Sequence, residues 1–243
     1  LKLAAPDGEI GKAREIYFDD QRWVIRHLVA DTGGWLSGRK VLISPRAVQR
    51  LDVERRELQL SIAREQVKAS PDYDTDKPIS RQYEKDYFAY YGYPYYWSGP
   101  YMWGIADYPG APASAPLGEA HEALAQQAER ERAEGDPHLR SAREVSGYAI
   151  EASDGSVGHV ETFLFDTDTW AIGAMVIDTR NWWPGKHVVV SPELIDSIDW
   201  NGRSVRVRAS RERIKSSAEY NAAETTSRDR QIEEIRHALR LSD

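Results

Sequence analysis

Short runs of alternating or β-branched apolar residues, cut by glycine, proline and aspartate, recur along this chain. Trp23, Ile25 and Val29 share one face of a strand pattern; Trp170, Ile172, Ala174 and Val176 share the equivalent face of another. Val41-Leu42-Ile43 and Val188-Val189-Val190 each stop at Ser-Pro, where proline ends ladder pairing. Leu58/Leu60 and Val205/Val207 are a further alternating pair. Laid over 148–221 without a gap, residues 1–74 repeat this order at an offset of about 147, with roughly 23 of 74 positions identical. Asp7-Gly8 falls on Asp154-Gly155, Gly11 on Gly158, Phe18-Asp19 on Phe165-Asp166, Trp35 on Trp182 and Arg64-Glu65 on Arg211-Glu212. The pattern means a duplicated domain.

Within each copy, about six short strands at 8–12 residue spacing have nothing helical between them. The prediction is a mainly β protein: two tandem small six-stranded antiparallel β-barrels, each left by a helical turn at 64–69 or 211–217. The domain boundaries fall at 1–75, 76–141, 142–218 and 219–243. The last segment reads as a charged amphipathic helix with Ile232, Ile235 and Leu239 on one face.

The segment between the copies differs in kind. Tyr83, Tyr87, Phe88, Tyr90, Tyr91, Tyr93, Tyr95, Tyr96, Trp97, Tyr101 and Trp103 crowd into 21 positions. Their spacing predicts a short helix near 79–91 and a Gly/Pro-broken loop after it. A second helix is expected over 116–134, with Leu117, Ala120, Leu124 and Ala128 as its apolar stripe. The aromatic run reads as an intramolecular clamp on the barrels, each ring buried and each hydroxyl reaching water. A partner-binding strip is the alternative, since exposed apolar patches mark contact sites.

The chain has 243 residues, no cysteine and a net charge of −7. Each copy is near the lower size limit for one unaided core. Disulfides and thiolate metal sites are excluded, and the acidic balance argues against a nucleic-acid partner. The apolar runs are too short to span a bilayer. The counterparts of 144–147 are missing before Leu1, so the expectation is a trimmed N-terminus, with a targeting or anchoring segment ahead of it left open. The expected location is cytoplasmic, with peripheral membrane association left open.

Candidate chemistry is sparse. The six histidines show no i, i+4 pair or His-x-His spacing, so no metal site, cofactor or catalytic residue is expected. His27, on the Trp23/Ile25/Val29 face, reads as a core or barrel-mouth histidine. Asp19, Asp20, Asp31, Asp166, Asp168 and Asp178 read as turn aspartates that accept backbone N–H groups. No nucleophile elbow, catalytic triad or phosphate-cradling glycine loop is present. The candidate partner-binding residues are Trp35, Trp182 and Trp183 in the loops after strand three, with Tyr95, Tyr96, Trp97, Tyr101 and Trp103 in the aromatic run.

The strings Asp7-Gly8-x-x-Gly11…Phe18-Asp19 and Asp154-Gly155-x-x-Gly158…Phe165-Asp166, each followed by its strand and its Ser-Pro stop, resemble the PRC-barrel family. That family is named for the cytoplasmic barrel of the photosynthetic reaction-centre H subunit. The resemblance covers both copies and implies six-stranded barrels used as interaction modules, with no catalytic residue. It makes a non-enzymatic interaction or scaffold protein the first expectation, with a protein partner. Two rivals stand beside it. One is a reaction-centre-H-like accessory role in electron and proton transfer; the other is a small-ligand enzyme with a site between the barrels.

Overall fold

The computed structural model describes residues 1–52, 55–73, 79–110, 138–179, 186–220 and 232–234. The chain divides into two compact units, residues 1–139 with 168–170, and residues 140–167 with 171–243. The aromatic segment therefore belongs to the first unit rather than standing as a separate linker.

Unit 1 is built on β1 (Lys2–Ala5), β2 (Gly8–Asp19), β3 (Val24–Asp31), β4 (Lys40–Ile43), β5 (Val48–Asp52) and β6 (Glu57–Leu60). Helix α1 (Arg64–Lys68) leaves the sheet and α2 (Arg81–Tyr91) follows. The sheet order is β4-β3-β2-β1-β6-β5, and β7 (Leu139–Ser141) follows at the boundary between the units.

Unit 2 contains α3 (Ala142–Val145) and α4 (Arg211–Lys215) beside β8 (Ala149–Ala152), β9 (Gly155–Asp166), β10 (Ile172–Asp178), β11 (His187–Val190), β12 (Ile195–Asp199) and β13 (Ser204–Val207). Its order, β11-β10-β9-β8-β13-β12, repeats that of unit 1, and β14 (Ile232–Glu234) pairs with β9. The fold is mainly β, and its two sheets of like topology fit a duplication.

Each sheet departs from the antiparallel expectation once. β1 runs parallel to β6, with Leu3 opposite Leu58, and β8 runs parallel to β13, with Ile150 opposite Val205. Side-chain alternation has the same period of two in either strand direction, so this is invisible in the pattern.

Two close backbone approaches and two serine caps explain the repeated turn residues. Gly11 and Gly158 have φ of +148° and +153°, and a Cβ on either would lie 2.0 Å from the carbonyl oxygen of Asp31 or Asp178. Only glycine fits there. Ser44 Oγ accepts Arg46 N at 3.3 Å, and Ser191 Oγ accepts Glu193 N at 3.3 Å. Each serine thus caps a one-turn 3₁₀ helix that starts at the proline and stops the strand.

Three expectations change, and β2 adds a broken alternation. Trp23 and Trp170 are not strand residues: both sit at left-handed φ, +56° and +61°, just before β3 and β10. β3 is buried on both faces from Val24 to Ala30, because α2 covers its outer side, with the Tyr87 and Phe88 rings 5.4 and 6.0 Å from the His27 ring. β2 buries Ile10, Ala13, Ile16 and Phe18, a broken alternation caused by bulges near Ala13/Glu15 and Tyr17/Phe18. Residues 232–234 form a strand where an amphipathic helix was predicted, their backbone pairing with Leu164–Asp166 of β9. The helix predicted over 116–134 lies outside the described residues.

Candidate functional site

Helix α2 starts at Ser80, whose Oγ accepts Tyr83 N at 3.1 Å, and ends at Gly92 in the left-handed conformation. Its inward stripe is Glu84, Tyr87 and Phe88, the i, i+3, i+4 pattern of a helix packed on a sheet. The stripe therefore carries one carboxylate among aromatic rings, and Glu84 is fully buried.

Four side chains reach it. Tyr96 donates its hydroxyl to Glu84 Oε1 at 2.7 Å, and the Arg81 guanidinium donates to Oε2 at 2.9 Å. His27 Nε2 lies 3.3 Å from Oε1 and His138 Nε2 lies 3.1 Å from Oε2. Burial alone would push the Glu84 carboxyl up. Hydrogen bonds from His138 and His27 and the Arg81 charge overrule that and hold it far below the usual carboxylate range. Burial pushes His27 down, opposed by its bond to Glu84, so the imidazole is neutral with its proton on Nε2. That tautomer leaves Nδ1 a bare acceptor, and it has no hydrogen-bond partner among the described residues. Tyr96 is pushed well above the ordinary phenol value, first by burial and then by the Glu84 charge.

A second buried ion pair lies beside the first. Arg26 Nη2 is 3.2 Å from Asp19 Oδ2, its Nη1 donates to the Met102 carbonyl at 2.7 Å, and its guanidinium lies 3.8 Å from the Tyr96 ring centroid. Burial lowers Arg26, and Asp19 works against that. Asp19 Oδ1 also accepts Gln21 N and Arg22 N at 3.0 and 3.1 Å, as a turn aspartate should. The Glu84 carboxylate thus ties α2, β3 and His138 together. No set of three His, Cys, Asp or Glu side chains among the described residues is arranged to hold a metal.

The candidate contact residues separate sharply. Tyr96, Trp97 and Trp103 are buried, which corrects their assignment to a contact surface: their rings fill unit 1. Trp103 donates its indole N–H to the Thr169 carbonyl at 2.7 Å, within the same unit. Tyr95 is half-buried and stacks on Trp97 at 4.7 Å. Trp35 is half-buried in a 3₁₀ turn, donates to the Ile10 carbonyl and lies under the Arg64 guanidinium at 4.3 Å. Trp182 and Trp183 lie outside the described residues.

Among the described members of that set, Tyr101 alone is exposed, at 49%. Tyr108 and Tyr90 join it as the exposed large hydrophobic side chains among the described residues. Tyr101 opens a tight turn closed by Tyr101 N to Gly104 O at 3.1 Å. Two arginines brace this loop through its carbonyls. Arg46 donates to Trp103 O at 2.7 Å and Pro109 O at 3.1 Å, while Arg22 donates to Tyr101 O and, at 3.4 Å, to Gly99 O. Burial lowers Arg46 to about 10, which leaves it charged at neutral pH.

Sequence reasoning missed Glu84, His138, Tyr108 and the bracing arginines. The available signal was Glu84 itself, three and four positions before Tyr87 and Phe88 on an otherwise aromatic stripe. Among the described residues no helix is long and apolar enough to cross a membrane. No protein-family model matches this chain, and comparison with curated proteins finds no match.

Proposed function

We propose that the chain is a non-enzymatic interaction module, two PRC-like barrels in tandem, and that its aromatic segment presents a contact loop to a protein partner. The observation that carries this reading is the braced 99–110 loop. Its inner rings, Trp103 above all, are buried, while Tyr101 and Tyr108 stay half-exposed on a backbone held by Arg22 and Arg46. Tyrosine suits such a role, giving a large amphipathic contact at low entropic cost. A loop ordered beforehand also loses less freedom on binding. The Glu84 cluster supports the same reading, because the carboxylate's contacts with Arg81, Tyr96, His27 and His138 hold the segment down.

The test is site-specific photocrosslinking in cells, with benzoylphenylalanine at Tyr101, Tyr108 or, as control, exposed Arg208 of unit 2. The expected result is one discrete adduct from positions 101 and 108, absent from 208 and lost when Arg46→Ala loosens the loop. No adduct at 101 and 108, or the same adducts from all three positions, defeats the proposal.

A further inference from the structure

The chain has three asparagines, and one of them, Asn201, precedes glycine. Asn201-Gly202 lies in the turn between β12 and β13, and both residues are exposed. Tight turns favour Asn-Gly. The same pair is prone to attack its own side chain, because a glycine nitrogen carries no neighbouring side chain to shield it. Copy 1 has Glu54-Arg55 at the matching positions, so the reactive pair belongs to copy 2 alone.

The turn is built to oppose that attack. Asp199 Oδ1 accepts the Gly202 backbone N–H at 2.8 Å, as Asp52 Oδ1 accepts that of Arg55 at 2.9 Å in copy 1. To act as a nucleophile the Gly202 nitrogen must shed this proton, which would leave an anion beside a carboxylate, and like charge disfavours that. The bond also fixes the plane of the Asn201–Gly202 peptide, whereas ring closure requires that plane to rotate. The residues on either side of the pair are anchored on one ring. Trp200 lies 6.2 Å from the Tyr148 ring, the Arg203 guanidinium lies 5.3 Å from it, and Arg140 stacks on Trp200 at 3.8 Å.

We infer that Asn201 is a self-modification site held in check by Asp199. In the reaction the Gly202 nitrogen bonds to Asn201 Cγ, the Cγ–Nδ2 bond breaks, and Nδ2 leaves as ammonia with the proton that Gly202 gave up. Water then opens the cyclic imide at either carbonyl, giving aspartate or isoaspartate. Water is the sole co-reactant. Each product adds a carboxylate near Asp199, and isoaspartate also adds a methylene to the main chain. Both changes fall where Asp199 pairs with Ser204, so conversion loosens the β12–β13 hairpin. The inference is independent of the partner-binding loop, which belongs to unit 1.

Peptide mapping by mass spectrometry, after incubation of the full chain in mildly alkaline buffer, tests it. Deamidation changes the mass at Asn201, which separates it from isomerisation at the Asp-Gly turns, where no mass changes. The reference is a free peptide spanning 199–204. Wild-type protein should convert at least about fivefold more slowly than this peptide, and Asp199→Ala should convert at least about fivefold faster than wild type. Asp52→Ala removes the same bond from copy 1, and it should leave the rate at Asn201 unchanged. A smaller gain in Asp199→Ala, or none, overturns the inference, and so does wild-type conversion as fast as the peptide. An equal gain in Asp52→Ala overturns it too, since general loosening would then set the rate.

Discussion

The Asp7 carboxylate accepts the backbone N–H of Arg64 at 2.9 Å, and 147 positions later Asp154 accepts that of Arg211 at 2.7 Å. Each bond fastens the turn before a long strand to the first residue of the helix that leaves the same sheet, 57 residues away in both copies. The Asp-Gly pair thus does two jobs, turning the chain and capping a distant helix. Asp7→Ala and Asp154→Ala should each cost about 1 kcal/mol, the worth of a lost capping acceptor, and the Asn variants less. Urea unfolding of the single variants reads this directly. No change in midpoint in either copy would mean that water replaces the carboxylate at no cost.

Gly11 and Gly158 should behave quite differently from Gly38. A Cβ at Gly11 meets the Asp31 carbonyl at 2.0 Å, which only a backbone shift relieves, whereas at Gly38 nothing lies within 4 Å. Gly38 still has φ of +72°, so Gly38→Ala should cost about 1 kcal/mol through conformation alone. Gly11→Ala adds the clash between β2 and the end of β3 and should cost more than about 3 kcal/mol. Thermal melts of the two variants decide it; equal losses would show that the β2–β3 approach relaxes freely.

Much of this frame was legible because it rests on residues that have one use. Glycine at left-handed φ, Ser-Pro at a strand end and tyrosines at helical spacing each name their geometry, and α2 lies within two residues of its predicted span. The buried cluster was not legible, since its members are scattered. His27 meets Glu84 57 residues later, and His138 comes from beyond a further stretch of chain. Glu84 hides among Arg81, Lys85 and Asp86, which read as an ordinary solvated face. Tyr96, Trp97 and Trp103 look the same in sequence as exposed Tyr101, because burial there depends on which rings Arg26 and Arg46 fold beneath the loop.

The aromatic segment should be ordered in the free protein. Tyr87, Phe88, Tyr96, Trp97 and Trp103 are buried, and Tyr87 Oη accepts the Ser44 backbone N–H at 2.9 Å. Each fully buried ring contributes about 1.5–3 kcal/mol, enough in sum to offset much of the cost of ordering the segment. Amide exchange between Tyr83 and Tyr96 should be slow, and Trp103→Ala should cost about 3–5 kcal/mol, well above Tyr101→Ala, which removes only an exposed ring. Rapid exchange through α2, or equal losses for the two variants, would contradict the packing.

Acid should unfold unit 1 in two stages set by His27 and Glu84. The native His27 is held below its ordinary value of 6.5 by burial, against the pull of Glu84 and aided by the Arg26 charge. Glu84 is held below 4.5: burial works against this, but His138, His27 and Arg81 prevail. Both groups therefore bind protons more readily in the unfolded chain, so stability falls as pH drops. The loss from His27 starts near pH 6.5 and that from Glu84 near 4.5, each at no more than about 1.4 kcal/mol per pH unit. His27→Gln keeps an N–H for Glu84 Oε1 without a titrating ring, and it should flatten the slope between about pH 7 and 5. Glu84→Gln should remove the second stage. It should also cost about 3–5 kcal/mol at neutral pH, because Arg81 loses its buried counter-charge. Urea unfolding from about pH 8 to about pH 2 gives all three curves. If His27→Gln keeps the wild-type slope, the proton taken up near neutrality belongs to another group, and His27 does not set the acid limit of the fold.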